Sequence, residues 1–369
     1  AYEDLLDYSE NLMRDAIAHI PDGRYNARTF IDGYVDSPDP ALKDLPIEVT
    51  LTISGSDIHV DLTGTAPQTP NKPINMPLVG TVDCAVWLTL RSILLDSDVY
   101  GAIPQNSGLT RPITIHAPEG CLANPTFPAP VIARFCPGNA VADTVMKAIA
   151  PAVPKQVSAG IGNLRVMAFS GVTNNAPWVH MEIMEGAYGG RYGKDGMDAV
   201  DTLYANTRNN PIEDIESHLP LRVLNYELRE NVAGPGASRG GIGSIRSFEL
   251  LEDGAVSIEG DGQRFDPWGF LGGADGSPAK VELVQARGAT VELPSKLPYR
   301  QLSKGDRITA YGPCGGGYGD PLEREPQAVL DDVLDGLIDA ASARADYGVV
   351  VNGQGVDEAA TRELRAGRT

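Results

Sequence analysis

Side chains able to do acid–base and oxyanion chemistry crowd one stretch, Glu185 to Glu230, EGAYGGRYGKDGMDAVDTLYANTRNNPIEDIESHLPLRVLNYELRE. Glycines surround Arg191, then come Asp195, Asp198 and Asp201, the amides of Asn206, Asn209 and Asn210, and the acids Glu213, Asp214 and Glu216. So many polar groups with so little apolar periodicity describe neither an ordinary helix nor a core strand. Met197, Val200, Leu203, Tyr204 and Ile215 recur as anchors. They leave two readings of a long ordered loop, a site or interface loop and a solvated structural crossover.

Outside that stretch, the candidates are Asp61, Asn75, Arg134 and Asn139. With Arg191, Asp195, Asp201, Asn206, Asn209, Glu213 and Asp214 they form a polar constellation without a metal box. Carboxylates serve as general base or metal ligand, while amides and Arg hold a developing oxyanion; a site acting on amides needs both kinds. Each also has a plain structural use, in a turn, a cap or a subunit interface.

Other chemistries find less support. The five histidines, His19, His59, His116, His180 and His218, do not fall at metal-ligand spacing, and no HExxH pattern occurs. His180 and His218 stand apart only because they flank the acidic loop. No GxSxG elbow, P-loop or dinucleotide fingerprint opens a helix. The glycine runs Gly234 to Gly243 and Gly312 to Asp320 lack a GK[ST] ending and read as tight turns or close crossings between strands. Cys314 sits among glycines with no base near it in sequence.

The elements that must position these groups are short. Residues 2 to 20 carry Leu5, Leu6, Leu12, Met13, Ile17 and Ile20 at the spacing of one apolar helical face. Ile47, Val49, Leu51 and Ile53 alternate with polar residues and lead through Gly55–Asp57 to Ile58, Val60 and Leu62, a hairpin ending at Asp61. Residues 80 to 98 read as a buried helix. Gly138 and Asn139 precede a helical pattern through Val141, Val145 and Ile149, so free N–H groups there could hold an anion, or simply be capped. After residue 161, short alternating segments separated by Gly, Asp and Pro turns predict antiparallel sheets, a sandwich or a barrel, and two or three helices close the chain. The expected class is α+β and β-rich, with a mixed domain over 1–160, a β-rich domain over 161–322 and a helical tail over 323–369.

The whole chain sets limits. Its 369 residues, with 41 glycines and 28 prolines, suit a loop-rich globular protein with a sizeable core. A formal charge of −19 argues against nucleic acid or an anionic membrane as partner. The four cysteines are widely spaced and read as reduced thiols of a cytoplasmic protein. No apolar run is long enough to span a bilayer and no signal peptide is visible.

The ordered motifs resemble one family. VDLTGTAPQTPNKPIN, IPQNSGLTRPITIHAPEGCLANPTFPAPV, RFCPGNAVADTVMKA, the Gly189–Glu230 stretch, GPGASRGGIGSIRSFELL, RFDPWGFLGGADG and YGPCGGGYGDPLEREP are similar to the hydantoinase B / oxoprolinase family. That family holds the β-type subunits of ATP-dependent hydantoinases and lactamases and related acetophenone and acetone carboxylase subunits. The resemblance implies a two-component enzyme. A hydantoinase A-like ATPase subunit, holding ATP and Mg, would phosphorylate a lactam, imide or enolate oxygen, and this chain would help complete reaction on the activated substrate. Family members usually carry an upstream half with a His- and Asp-containing stretch that looks like a metal site for an ion such as Zn or Mn. This sequence begins after it, so the expectation is that this half lies on a separate chain, or that the chain was cleaved, or that the site is lost, and no metal ligand is assigned here.

Residues carried over in matching motifs are Asp61, Asn139, Asp195 and Glu213 as catalytic candidates, and Asn75, Arg134, Arg191, Asn206 and Asn209 as substrate-binding candidates. The implied activity is cyclic-amide hydrolysis. An acetophenone-type carboxylase subunit and a non-catalytic scaffold that docks the ATPase are the rival expectations.

Overall fold

The computed structural model describes residues 2–368. They form two compact units: one takes the chain up to Gly33 and again Ser37–Val157, the other Tyr34–Asp36 and the chain from Ser158 onward.

In the first unit α1 (Tyr2–Ala18) buries Leu6, Met13 and Ile17 along one stripe. A four-stranded sheet follows, β1 (Gly23–Gly33), β2 (Lys43–Ser54), β3 (Asp57–Asp61) and β4 (Ile113–His116), in that spatial order. The first three strands are antiparallel, and β3 with β4 is parallel. Period-two alternation puts Ile47, Val49, Leu51 and Ile53 on the covered face, none more than 2% exposed. The β2–β3 turn pairs Ser54 with Asp57 and needs Gly55 at φ 59°. Three helices complete the unit: α2 (Asp83–Leu94), α3 (Ser97–Tyr100) and α4 (Phe135–Ile149). α4 packs on β1 and β2, and α2 on α4.

The second unit begins with β5 (Arg165–Thr173) and β6 (Ala176–Met184), then α5 (Ile212–His218), β7 (Leu221–Leu228), β8 (Ser244–Leu250) and β9 (Gly254–Gly260). β10 (Lys280–Val284), β11 (Thr290–Glu292), β12 (Lys296–Leu302) and β13 (Arg307–Tyr311) follow. They build two antiparallel sheets, ordered β12-β9-β5-β6 and β11-β10-β13-β8-β7. One apolar cluster joins both sheets, including Met167, Phe169, Val256 and Ile258 from the first and Phe248, Val281, Leu283 and Ile308 from the second. Phe169 and Phe248 meet with ring centroids 5.2 Å apart. This is a sandwich of an α+β chain; among the described residues no sheet closes into a barrel.

The tail carries α6 (Pro326–Leu334), α7 (Ala340–Tyr347), the small hairpin β14 (Val351–Asn352) and β15 (Gly355–Val356), and α8 (Glu358–Ala366). Its own small core holds Val329, Ile338, Ala343, Tyr347 and Val349.

The two glycine runs are the close crossings that their composition suggests. Gly241 N donates to Tyr188 O at 2.7 Å, Gly315 N to Gly241 O at 2.9 Å, and Gly190 N to Gly316 O at 2.8 Å. A Cβ on Gly315 would lie 2.0 Å from Tyr188 O, and one on Gly240 1.9 Å from Gly315 O. Backbone approaches backbone here with no room for a side chain. That layer clamps the start of the polar loop, Glu185 to Gly190, at one end of the sandwich.

Candidate functional site

β6 ends at Met184, and the next residue, Glu185, is 7% exposed. Its carboxyl hydrogen-bonds Asp201 from farther along the loop. Thr202 Oγ1 donates to Glu185 Oε2 at 3.1 Å, and Thr207 Oγ1 to Oε1 at 3.3 Å. Thr207 also closes on Asp201, through its backbone N–H and through Oγ1 at 3.4 Å. These partners are acids and hydroxyls, not cations. Burial first, then the hydrogen bond and charge of Asp201, push the Glu185 carboxyl up to about 8. The Tyr188 hydroxyl is likewise raised, by burial and by the charges of Asp201 and Glu185. A buried acid that holds its proton near neutral pH beside a second carboxylate is the arrangement that general acid–base chemistry uses.

A second cluster supports the loop from the sheets. Arg246, on β8 and 4% exposed, donates to the Glu182 carboxylate, to Ile183 O at 3.0 Å, to Asn209 Oδ1 at 2.6 Å and to Tyr226 Oη at 2.8 Å. Its guanidinium lies 4.4 Å from the centroid of the Tyr226 ring. The other Glu182 oxygen is 3.0 Å from His180 Nε2. Strand alternation makes this possible: His180 and Glu182, two apart on β6, share the inward face. Arg246 faces the Glu182 carboxylate within the cluster, and its contact with Asn209 fixes that residue at the loop's far limb.

A third cluster ties the loop to the tail. Arg324 donates to both oxygens of Asp195, at 2.6 and 2.8 Å, and to Asp332 Oδ2 at 2.8 Å. Arg239 bonds both oxygens of Asp198, at 2.8 and 3.2 Å, and Asp332 Oδ1 at 3.2 Å. Burial would raise Asp195, but the Arg324 hydrogen bonds and the charges of Arg324 and Arg239 outweigh it and hold the carboxyl below its ordinary value.

The residues picked out in the sequence fall into both units. In the first, Asp61 ends β3 and accepts from Thr63 N at 2.9 Å and Thr63 Oγ1 at 2.6 Å, a local turn. Asn75 is fully buried and braces its loop, accepting from Thr69 N and donating to Thr69 O, Lys72 O and Pro130 O. Arg134 lies 5.0 Å over the Phe135 ring and donates to Val131 O at 3.3 Å. Gly138 and Asn139 do not precede a helix. α4 starts at Phe135, Gly138 N is bonded to Arg134 O at 3.0 Å, and Asn139, 2% exposed, sits in the second turn. Pro137 explains the earlier start, because the first turn has no use for its missing N–H. No anion can be held there by free helix N–H groups.

In the second unit Arg191 is exposed in a tight turn closed by reciprocal backbone bonds with Lys194. Asp195 belongs to the tail cluster and Asn209 to the Arg246 cluster. Asn206 is exposed, and Glu213 is exposed in the first turn of α5. The structure thus gathers Asp195 and Asn209 onto the scaffold of one loop, at whose centre the buried Glu185 meets the half-buried Asp201.

Asp201 stands in the polar constellation, whereas the sequence does not single out Glu185 as a reacting group. Its signal is a carboxylate at a strand end followed by glycine, MEIMEG, a place where sites are often built. Arg246, Arg239 and Arg324 give no comparable sign, because their partners lie far away in sequence. Among the described residues no group of three or more His, Cys, Asp or Glu side chains is placed to hold a metal ion. The Glu185–Asp201 pair, with two carboxyls bonded to each other and to threonines, does not make such a set. No helix among the described residues is long and apolar enough to cross a membrane.

Comparison with solved structures defines the class of fold. An ATP-dependent caprolactamase from Pseudomonas jessenii matches with a TM-score of 0.82 and 27% identity, over 99% of this chain and 63% of that one. Acetone carboxylase matches in fold with a TM-score of 0.84 at 20% identity, over 98% of this chain and 54% of that one. The chain is also 62% identical over 367 residues to a protein of Pseudomonas sp. (strain NS671) assigned as the B-type component of a D-/L-hydantoinase, covering 99% of this chain and 62% of the relative. The beta chain of the Pseudomonas jessenii caprolactamase is 30% identical over 381 residues, covering 98% of this chain and 63% of the relative. A sequence profile of the family Hydantoinase B/oxoprolinase matches residues 1–321. The chain belongs to the Hydantoinase B/oxoprolinase family. It spans about six-tenths of the length of these curated relatives.

Proposed function

We propose that the chain is the B-type part of a cytoplasmic, ATP-dependent cyclic-amide hydrolase acting on hydantoins or lactams, with Glu185 and Asp201 as its acid–base pair. The observation that carries this reading is the 62% identity, over nearly the whole chain, to the D-/L-hydantoinase relative. ATP and Mg belong to a hydantoinase A-like partner, which supplies a substrate whose amide oxygen is phosphorylated. A metal such as Zn or Mn, where the enzyme uses one, belongs to the upstream part of the longer relatives.

An amide nitrogen and oxygen are both poor leaving groups, and phosphorylation makes the carbon attackable by water. Water adds to that carbon while the ionised member of the pair takes its proton. The protonated member gives its proton to the ring nitrogen; the ring C–N bond then breaks as the added hydroxyl passes its remaining proton through the pair to the departing nitrogen, and an amine and an acyl phosphate remain. A second water hydrolyses it to carboxylate and inorganic phosphate.

The test is reconstitution with the ATPase subunit and ATP–Mg on hydantoin and caprolactam substrates. Glu185→Gln and Asp201→Asn are expected to lower kcat by about 10²–10⁴-fold, the usual scale of positioned proton transfer, with assembly intact. Wild-type turnover by both variants would sink the acid–base role. Turnover that needs bicarbonate and yields a carboxylated product would replace hydrolysis with carboxylation.

A further inference from the structure

We propose that the C-terminal tail is part of the site: Arg324 and Asp332 are positioning residues that, with Arg239, hold the Asp195–Asp201 limb so that Asp201 stays against Glu185. The proposal rests on reading Glu185 and Asp201 as the reacting pair. Five charges alternate through it, Asp195, Arg324, Asp332, Arg239 and Asp198, each carboxylate bonded to a guanidinium and each guanidinium to two carboxylates. Both arginines and Asp332 are buried.

The backbone joins in at each acid of the loop. Arg239 N donates to Asp195 Oδ1 at 2.8 Å, and Ile242 N to Asp198 Oδ1 at 2.8 Å. Between the last clamped acid and Asp201 the chain is itself constrained. Ala199 takes φ 41°, in the left-handed region that disfavours a residue with a Cβ. Its N–H is bonded to Ile242 O at 2.7 Å. A strained residue persists only where its surroundings over-determine it, and here the over-determining groups are the clamp.

The tail contributes Arg324 and Asp332, which both lie beyond the family match ending at residue 321. The tail in turn fixes Arg324: the guanidinium lies 6.0 Å from the Tyr347 ring centroid on α7, and its carbonyl accepts from Arg365 Nη2 on α8 at 2.8 Å. A tail with its own core therefore reaches the loop through one buried guanidinium and one buried carboxylate.

Amide hydrogen exchange on the full chain tests this without turnover. In Arg324→Gln the Thr207 amide, bonded to Asp201, should exchange at least about ten-fold faster, while Phe169 and Phe248 amides in the sandwich keep wild-type protection. In the assembled enzyme kcat should fall at least about ten-fold with KM held within about two-fold. If Arg324→Gln does not fold, Asp332→Asn, close to isosteric, is read the same way. Wild-type Thr207 exchange and kcat in a folded variant would overturn the proposal, as would loss of protection spread evenly over the sandwich. Exchange judges the clamp even if Glu185→Gln shows that the cyclic-amide reading fails.

Discussion

One loop holds two sets of acids, withdrawn from water to different degrees, that have been treated in opposite ways. Asp195 and Asp198 face two arginines, and Asp195 is held below its ordinary value once those hydrogen bonds outweigh burial. Glu185, buried to a greater degree, meets another carboxyl and two threonines, and is pushed up to about 8. Burial acts in the same direction on both, so the difference lies in the neighbours. A carboxylate that only holds a fold is matched with a guanidinium. One left to compete with a second carboxyl keeps a proton available near neutral pH, which a structural role does not require. The distance between the two kinds is short in sequence, three residues from Asp198 to Asp201, and the paired acids are what keep the unpaired ones together.

The largest effect should come from removing a cation of the paired set. Arg239→Ala leaves Asp198 and Asp332 without it, and breaking a buried ion pair from one side costs about 3–5 kcal/mol. Urea unfolding of the chain measures it; a loss under about 1 kcal/mol would show the arginines to be less needed than the burial implies.

Next in size is the response to pH, where the two sets should differ in sign. The folded Glu185 sits near 8 against an ordinary 4.5, so between those values the folded chain binds the extra proton. Its contribution is full below about 4.5 and is lost as pH rises through about 8. Asp195 is lowered below its ordinary 3.8, so its contribution is present above that value and is lost as pH falls through the folded one. Stability measured against pH should therefore slope down toward 8 in the wild type, and Glu185→Gln should flatten that slope. A slope unchanged by the substitution would assign it to other groups.

The smallest effect is expected at Glu213. It is exposed in the first turn of α5, where a carboxylate gains only from the helix dipole. Glu213→Gln should change stability by no more than about 0.5 kcal/mol, as surface substitutions generally do. A larger loss, or a collapse of turnover, would place reacting groups on α5 as well and blur the contrast between the two sets.

Much of the scaffold is legible along the chain. The alternation of Ile47, Val49, Leu51 and Ile53 marks β2, and Gly55 marks its turn, because period and turn chemistry are local properties. The short segments after residue 161 are the sandwich strands, and Pro326, Ala340 and Glu358 open three tail helices close to where their patterns begin. Local reasoning fails at Gly138 and Asn139, where Pro137 is compatible with a helix start just ahead of it. The loop stands out as polar, but the roles of its residues do not. Asp195 and Glu185 are both acids next to glycines, and nothing within ten residues of either tells an arginine-paired carboxylate from one paired with another acid.

The sequence by itself determined the periodic elements, the family and the crossings that only glycine permits, since each depends on neighbours along the chain or on an ordered string of motifs. Only the tertiary structure decided which carboxylates are neutralised, because charge pairing depends on distance in space. Arg324 reaches Asp195 across 129 residues, and Arg246 reaches Glu182 across 64. It is those two long reaches, and the backbone layer formed by the glycine runs, that leave Glu185 and Asp201 facing each other.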